Sequence, residues 1–223
     1  AKLEEGTSYI VVESKSEENS DTIFENAVDA ATRALDVFSI TGDYEGRCID
    51  TDSERILWWK DGEENIVKFT GIADLSSSAN ASITVDGETP EPTIPEWHES
   101  FRYYRLSKTT DDLFDAYRTQ FLALEHLLTD MFEDESGEDT KWLTWVLTKA
   151  HQKYDLSNHA PDEDRPVDSI IENQWDDVRC KLFHSKEWGG RLDPRDSEDT
   201  KLVRNRLKDL TRIYFYLIKE EFG

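Results

Sequence analysis

Arg179 and His184 stand five positions apart in the run Arg179-Cys180-Lys181-Leu182-Phe183-His184. Arginine carries a permanent planar cation that suits a phosphate, and histidine can take or give a proton near pH 7. Such a pair is sufficient for phosphodiester cleavage without a metal, provided both groups reach one reacting centre. On an unbroken α-helix five residues turn through about 500°, leaving the two side chains roughly 140° apart. Either the helix ends between them, or a second copy of the chain completes the site. Gly189-Gly190, shortly downstream, would permit the first arrangement. A bland alternative stays open, in which Arg179 supports a helix C-terminus and His184 caps it.

The local charge sets this stretch apart. The chain carries 49 acidic and 26 basic residues, a net charge of -23. From Arg179 to Lys219, however, eleven basic residues face six acidic ones, and Lys181 and Lys186 flank the Arg/His pair. A basic stripe beside a phosphate-handling pair suits RNA or a nucleotide. The competing explanation is that these cations pair with acidic neighbours inside a helical bundle. The overall acidity is compatible with nucleic-acid mimicry, but the carboxylates are spread along the chain, as expected of a halophilic protein in molar salt. At 1 M salt the Debye length is about 3 Å, so an acidic surface does not exclude an anionic partner.

Two charged residues interrupt apolar patterns. Glu125 lies beside Phe121 and Leu128, and Arg206 lies among Val203, Leu207, Leu210, Ile213 and Leu217. A charge at a core edge is costly unless paired, so either is a candidate to support the cleft or to pair with Arg179. For Arg206, burial of the stem with a solvated head is the simpler explanation. Cys180 reads as a structural thiol. Cys48 and Cys180 are the two cysteines, too few for a disulfide framework. His98, His126, His151 and His159 show no metal-ligand spacing, and no phosphate-binding glycine loop is present, so no metal or cofactor is expected. No apolar run approaches the roughly 20 residues of a membrane span, and the first residues lack a signal-peptide core. The expected location is cytoplasmic, with no membrane partner.

The elements that must position these groups fall into two parts. Residues 1–88 read as a small α+β domain: a strand at Ser8–Val12, a helix from Asp21 to Phe38, and a small antiparallel sheet from 56–59, 65–73 and 81–85. Ser76-Ser77-Ser78 reads as a separator between strands. Residues 89–96 form a linker containing Pro90, Pro92 and Pro95, which stop helix and sheet. Residues 97–223 read as an antiparallel bundle of four to five helices. One helix is signalled by Asp111 and Asp112 at its start and by Leu113, Tyr117, Phe121, Leu124, Leu128 and Met131. A second, 139–154, carries Trp142, Trp145 and Val146. A third opens at Asp164-Arg165-Pro166, with Val167, Ile170, Ile171, Val178 and Leu182 as core positions. The last spans about 197–221.

Three stretches of the helical half resemble the HEPN superfamily, in particular its ApeA-like domains. They are Phe101-Arg102-Tyr103-Tyr104-Arg105-Leu106; Asp111 to Arg118 with Phe121-Leu122-Ala123-Leu124-Glu125; and Val178 to Lys186. The last looks like the family's Arg-x4-6-His motif. The resemblance implies a homodimer whose two motifs line one cleft, and metal-independent endoribonuclease action by 2′-hydroxyl attack. By the same resemblance, Arg179 would steady the phosphate and His184 would act as general acid/base. Cys180 departs from the pattern, because the family usually carries Asn, Asp or His there. Many members are non-catalytic modules, so binding of RNA, a nucleotide or a protein partner is the second expectation.

Overall fold

The computed structural model describes residues 20–41, 44–46, 75–77, 95–132, 139–183 and 190–222. The chain divides into two compact units, Ala1–Trp97 and His98–Gly223.

In the first unit the main described element is helix α1, Ser20–Thr41. Asp36 is fully buried on it, and its carboxylate accepts a hydrogen bond from Trp97 Nε1 at 3.1 Å. The Arg33 guanidinium covers the same indole at 4.4 Å and pairs with Asp29. Val28, expected on the apolar stripe of this helix, is exposed.

The expected N-terminal antiparallel sheet, and with it the α+β class, is not supported. The described residues are overwhelmingly helical. Extended pairing among them is limited to β1 (Tyr44–Gly46) against β2 (Leu75–Ser77), three residues on each side. So short a ladder is marginal on its own and makes no sheet layer. It also falls where no strand was expected: Ser76 and Ser77 lie in β2. Serine favours turns through local backbone bonding but does not forbid extended backbone. The strands expected at 8–12, 56–59, 65–73 and 81–85 lie outside the described residues.

The second unit is a helical bundle. Helix α2 is Glu99–Thr109 and α3 is Leu113–Met131. Asp112 caps α3, its carboxylate accepting from the N–H groups of Phe114 and Asp115 at 2.8 and 2.9 Å. Helix α4 is Asp139–Tyr154. A 3₁₀ turn at Ser157–His159 leads on to helix α5, which begins with Pro166 in its first turn. Three consecutive segments make up α5: α-helical Pro166–Ile170, π-helical Ile171–Arg179 and α-helical Cys180–Phe183. The final helix, α6, is Ser197–Phe222.

Contacts between α2 and α3 run in opposite directions along the chain. His98 meets Asp130, Tyr103 stacks on His126, and Ser107 donates to Gln120. The two helices are therefore antiparallel. On α4 the buried set is Leu143, Val146, Leu147 and Ala150, an i, i+3, i+4, i+7 stripe. Trp142 and Trp145, expected in the core, are half-buried beside that stripe. Fully buried Tyr117, Phe121, Leu124, Leu127 and Leu128 of α3 share the core with Leu210, Ile213, Tyr214 and Leu217 of α6. Each large apolar side chain removed from water contributes about 1.5–3 kcal/mol.

Candidate functional site

A nine-residue π-helix ends on Arg179. In this winding each N–H pairs with the carbonyl five residues back, as the Cys180 N–H does with the Trp175 carbonyl. Such helices are rare, occur mostly as single turns, and frequently mark functional sites. The wider winding changes which residues face inward. Gln174 and Trp175 are buried along with Ile170 and Val178, whereas Ile171 and Leu182, expected in the core, are half-buried.

Gln174 is 1% exposed, and its backbone and side chain both meet the buried Tyr117 hydroxyl. The hydroxyl lies 2.7 Å from the Gln174 carbonyl oxygen and 2.9 Å from its side-chain amide oxygen. One hydroxyl proton cannot serve two acceptors, and Gln174 Nε2 is buried without a hydrogen-bond partner. Turning the amide over resolves both facts: Nε2 donates to the Tyr117 oxygen, and Tyr117 donates to the Gln174 carbonyl. Burial holds the Tyr117 phenol well above the ordinary tyrosine range, while Arg206 and Arg179 act in the opposite direction. The hydroxyl therefore stays a donor across the accessible pH range.

Arg179, next in the π segment, is held by rings more than by a counter-ion. Its guanidinium carbon lies 4.0 Å from the Trp175 ring centroid and 5.0 Å from that of Phe183. Glu125 on α3 approaches it at 3.9 Å. A part-exposed ion pair at that distance is worth about 0–1 kcal/mol, and stacking on a tryptophan about 0.5–2 kcal/mol, so Trp175 sets the orientation. Arg179 keeps 15% of its side chain exposed, and Phe183 is an exposed hydrophobe at 42%. Arg118 of α3 completes the corner. It donates to the Leu182 carbonyl at 3.0 Å, pairs with Asp115 at 2.6 Å, and approaches the Phe183 ring at 5.8 Å.

The remaining site candidates divide. Glu125 is brought to Arg179. Arg206 is drawn instead to Asp177 at 3.1 Å and Asp209 at 4.0 Å. Lys181 shares Asp177, at 3.8 Å. Much of the basic stretch is thus matched by carboxylates, as Lys201 with Glu198 and Arg212 with Asp209 also show. Burial pushes the Cys180 thiol up, with Asp176 adding and Arg179 opposing, so it is a poor nucleophile at neutral pH. His184 and Lys186 lie outside the described residues.

Tyr117, Gln174, Trp175, Phe183 and Arg118 were not singled out as site residues from the sequence. One signal was available for Gln174: it lies four residues from both Ile170 and Val178, a polar residue on an apolar face. Among the described residues, no group of three or more His, Cys, Asp or Glu side chains is placed to hold a metal ion. Nor is any described helix long and apolar enough to cross a membrane. Compared with protein-family models, curated proteins and solved structures, the chain has no significant match.

Proposed function

We propose that this protein is a metal-independent endoribonuclease of HEPN type, acting as a homodimer in a salt-adapted cell. The observation that carries the reading is the orientation of Arg179. A guanidinium stacked between Trp175 and Phe183, with part of its surface open, is pre-set to meet a phosphate. His184 follows five positions later in the sequence.

In the proposed reaction His184 takes the proton of the ribose 2′-hydroxyl, and the 2′-oxygen attacks the adjacent phosphorus. The P–O5′ bond breaks, and a protonated histidine supplies the proton to the departing 5′-oxygen. The products are a 2′,3′-cyclic phosphate and a 5′-hydroxyl. With two copies of the chain around one cleft, the two histidines can divide the base and acid roles. Arg179 would neutralise the charge that grows on the phosphoryl oxygens, and Glu125 would limit its swing.

The second reading, a non-catalytic module that binds RNA, a nucleotide or a protein, is favoured by Glu125 lying 3.9 Å from Arg179. A carboxylate there already offsets part of the cation. Incubation of the full chain with labelled RNA in molar KCl and excess EDTA separates the two. Cleavage lost in His184→Ala supports the nuclease; retained binding with intact RNA in the wild type supports the module and contradicts the nuclease.

A further inference from the structure

The Tyr117 hydroxyl lies 57 positions from Gln174 in sequence, yet donates to that residue's main-chain carbonyl in the middle of the π-helical segment. Carbonyls inside a helix already accept from their own ladder, so an additional buried donor biases which ladder is kept. Wherever a side chain enters the ladder of a helix, local geometry departs from the regular α form. The winding from Ile171 to Arg179 decides the direction in which Arg179 leaves the helix axis. A return to α winding would advance each residue by about 100° and carry the guanidinium off the Trp175 face.

We propose that Tyr117 is a positioning residue: its hydroxyl, bonded to the Gln174 carbonyl, fixes the π register that stacks Arg179 on Trp175 beside Glu125. The catalytic consequence rests on the nuclease reading above; the register itself does not. Tyr117 does not touch the proposed substrate. It acts through the main chain, which separates it from Glu125 and Phe183, whose side chains meet Arg179 directly. The carbonyl carries the effect, and the Gln174 side chain is secondary, its amide serving to satisfy the same phenol oxygen.

The test is NMR of the full chain with Tyr117→Phe, which keeps the ring and removes the hydroxyl. In the wild type the Arg179 Nε–H signal is displaced upfield by the Trp175 ring current. In Tyr117→Phe the displacement is expected to be lost, and in Gln174→Leu, which keeps the carbonyl, it is expected to be kept. A hydroxyl that merely stabilises the core would lower Tm in Tyr117→Phe and leave the Arg179 signal in place, which overturns the proposal. Should Tyr117→Phe not fold, the Gln174 carbonyl ¹³C resonance of the wild type decides: a downfield position relative to its neighbours is expected, and an ordinary helical position overturns it. In the RNA assay Tyr117→Phe is expected to lose about a hundredfold in kcat with KM near the wild-type value. If wild-type protein cleaves no RNA, the nuclease reading fails, and the register claim is still judged on the Arg179 signal alone.

Discussion

Two polar corners of the helical unit are built on opposite plans. At the His98 corner every group has a role in closing the structure. His98 caps α2, its Nδ1 accepting from the Ser100 N–H at 3.1 Å, and its Nε2 lies 2.9 Å from Asp130 on α3. Ser100 bonds Tyr214 of α6 at 2.9 Å, and the imidazole packs on Phe101 and Phe222. Because the Ser100 N–H can only donate, Nδ1 must be bare and Nε2 carries the proton given to Asp130. The Arg179 corner, by contrast, spends an irregular helix and a buried tyrosine on a cation that is stacked and still part-exposed. Matched polar groups that join three helices serve stability, whereas a cation held open at the expense of regular winding is what a binding or catalytic site requires.

Replacements at the two corners should therefore separate. His98→Ala removes the cap, the Asp130 contact and the ring packing together. A loss of about 3 kcal/mol in denaturant unfolding is expected, with RNA cleavage per folded molecule unchanged. A wild-type-like midpoint would remove the closed corner from the comparison.

The next effect is one of pH. Burial lowers the His98 pKa below 6.5, against the opposing pull of Asp130, with His126 on α3 lowering it further and Glu99 raising it. The folded state then binds its proton less readily than the unfolded state. Stability is full above pH 6.5 and falls as pH drops through the depressed folded value. His98→Asn keeps a cap acceptor at every pH and should flatten this part of the profile. His159, lowered mainly by burial and also by Arg212, retains a slope of the same sign. An undiminished slope in His98→Asn would show that other groups carry the acid sensitivity.

Arg179→Ala should have the smallest effect on stability, less than about 1 kcal/mol, because only a stacked, part-exposed cation and a long ion pair are lost. A loss as large as that of His98→Ala would make Arg179 a structural residue and merge the two corners.

The sequence carried the helical unit well where one period held. The i, i+3, i+4 stripe of α3 and the Pro166 start of α5 could be read directly because each follows local rules. It failed on α5 beyond Ile170, where a uniform 100° turn per residue placed Ile171 and Leu182 inside and overlooked Gln174 and Trp175. A π winding depends on a tertiary partner, here Tyr117, which local periodicity cannot register. On α4 the large Trp142 and Trp145 drew attention from the smaller Leu143, Leu147 and Ala150 that form the buried stripe. For Arg206, size and placement on an apolar face gave no hint that Asp177, 29 positions away, would take it from Arg179. The expected sheet drew on β-branched runs whose pairing partners no local pattern specifies.

The central claim, that Arg179 is oriented to stabilise a phosphate, is tested most directly by the RNA cleavage rate of Arg179→Lys relative to wild type, in molar KCl with excess EDTA. Lysine keeps the charge but loses the planar, stacked guanidinium. The account predicts a 2′,3′-cyclic phosphate product from the wild type and a loss of about a hundredfold or more in the variant. A variant that cleaves as fast as the wild type would contradict it.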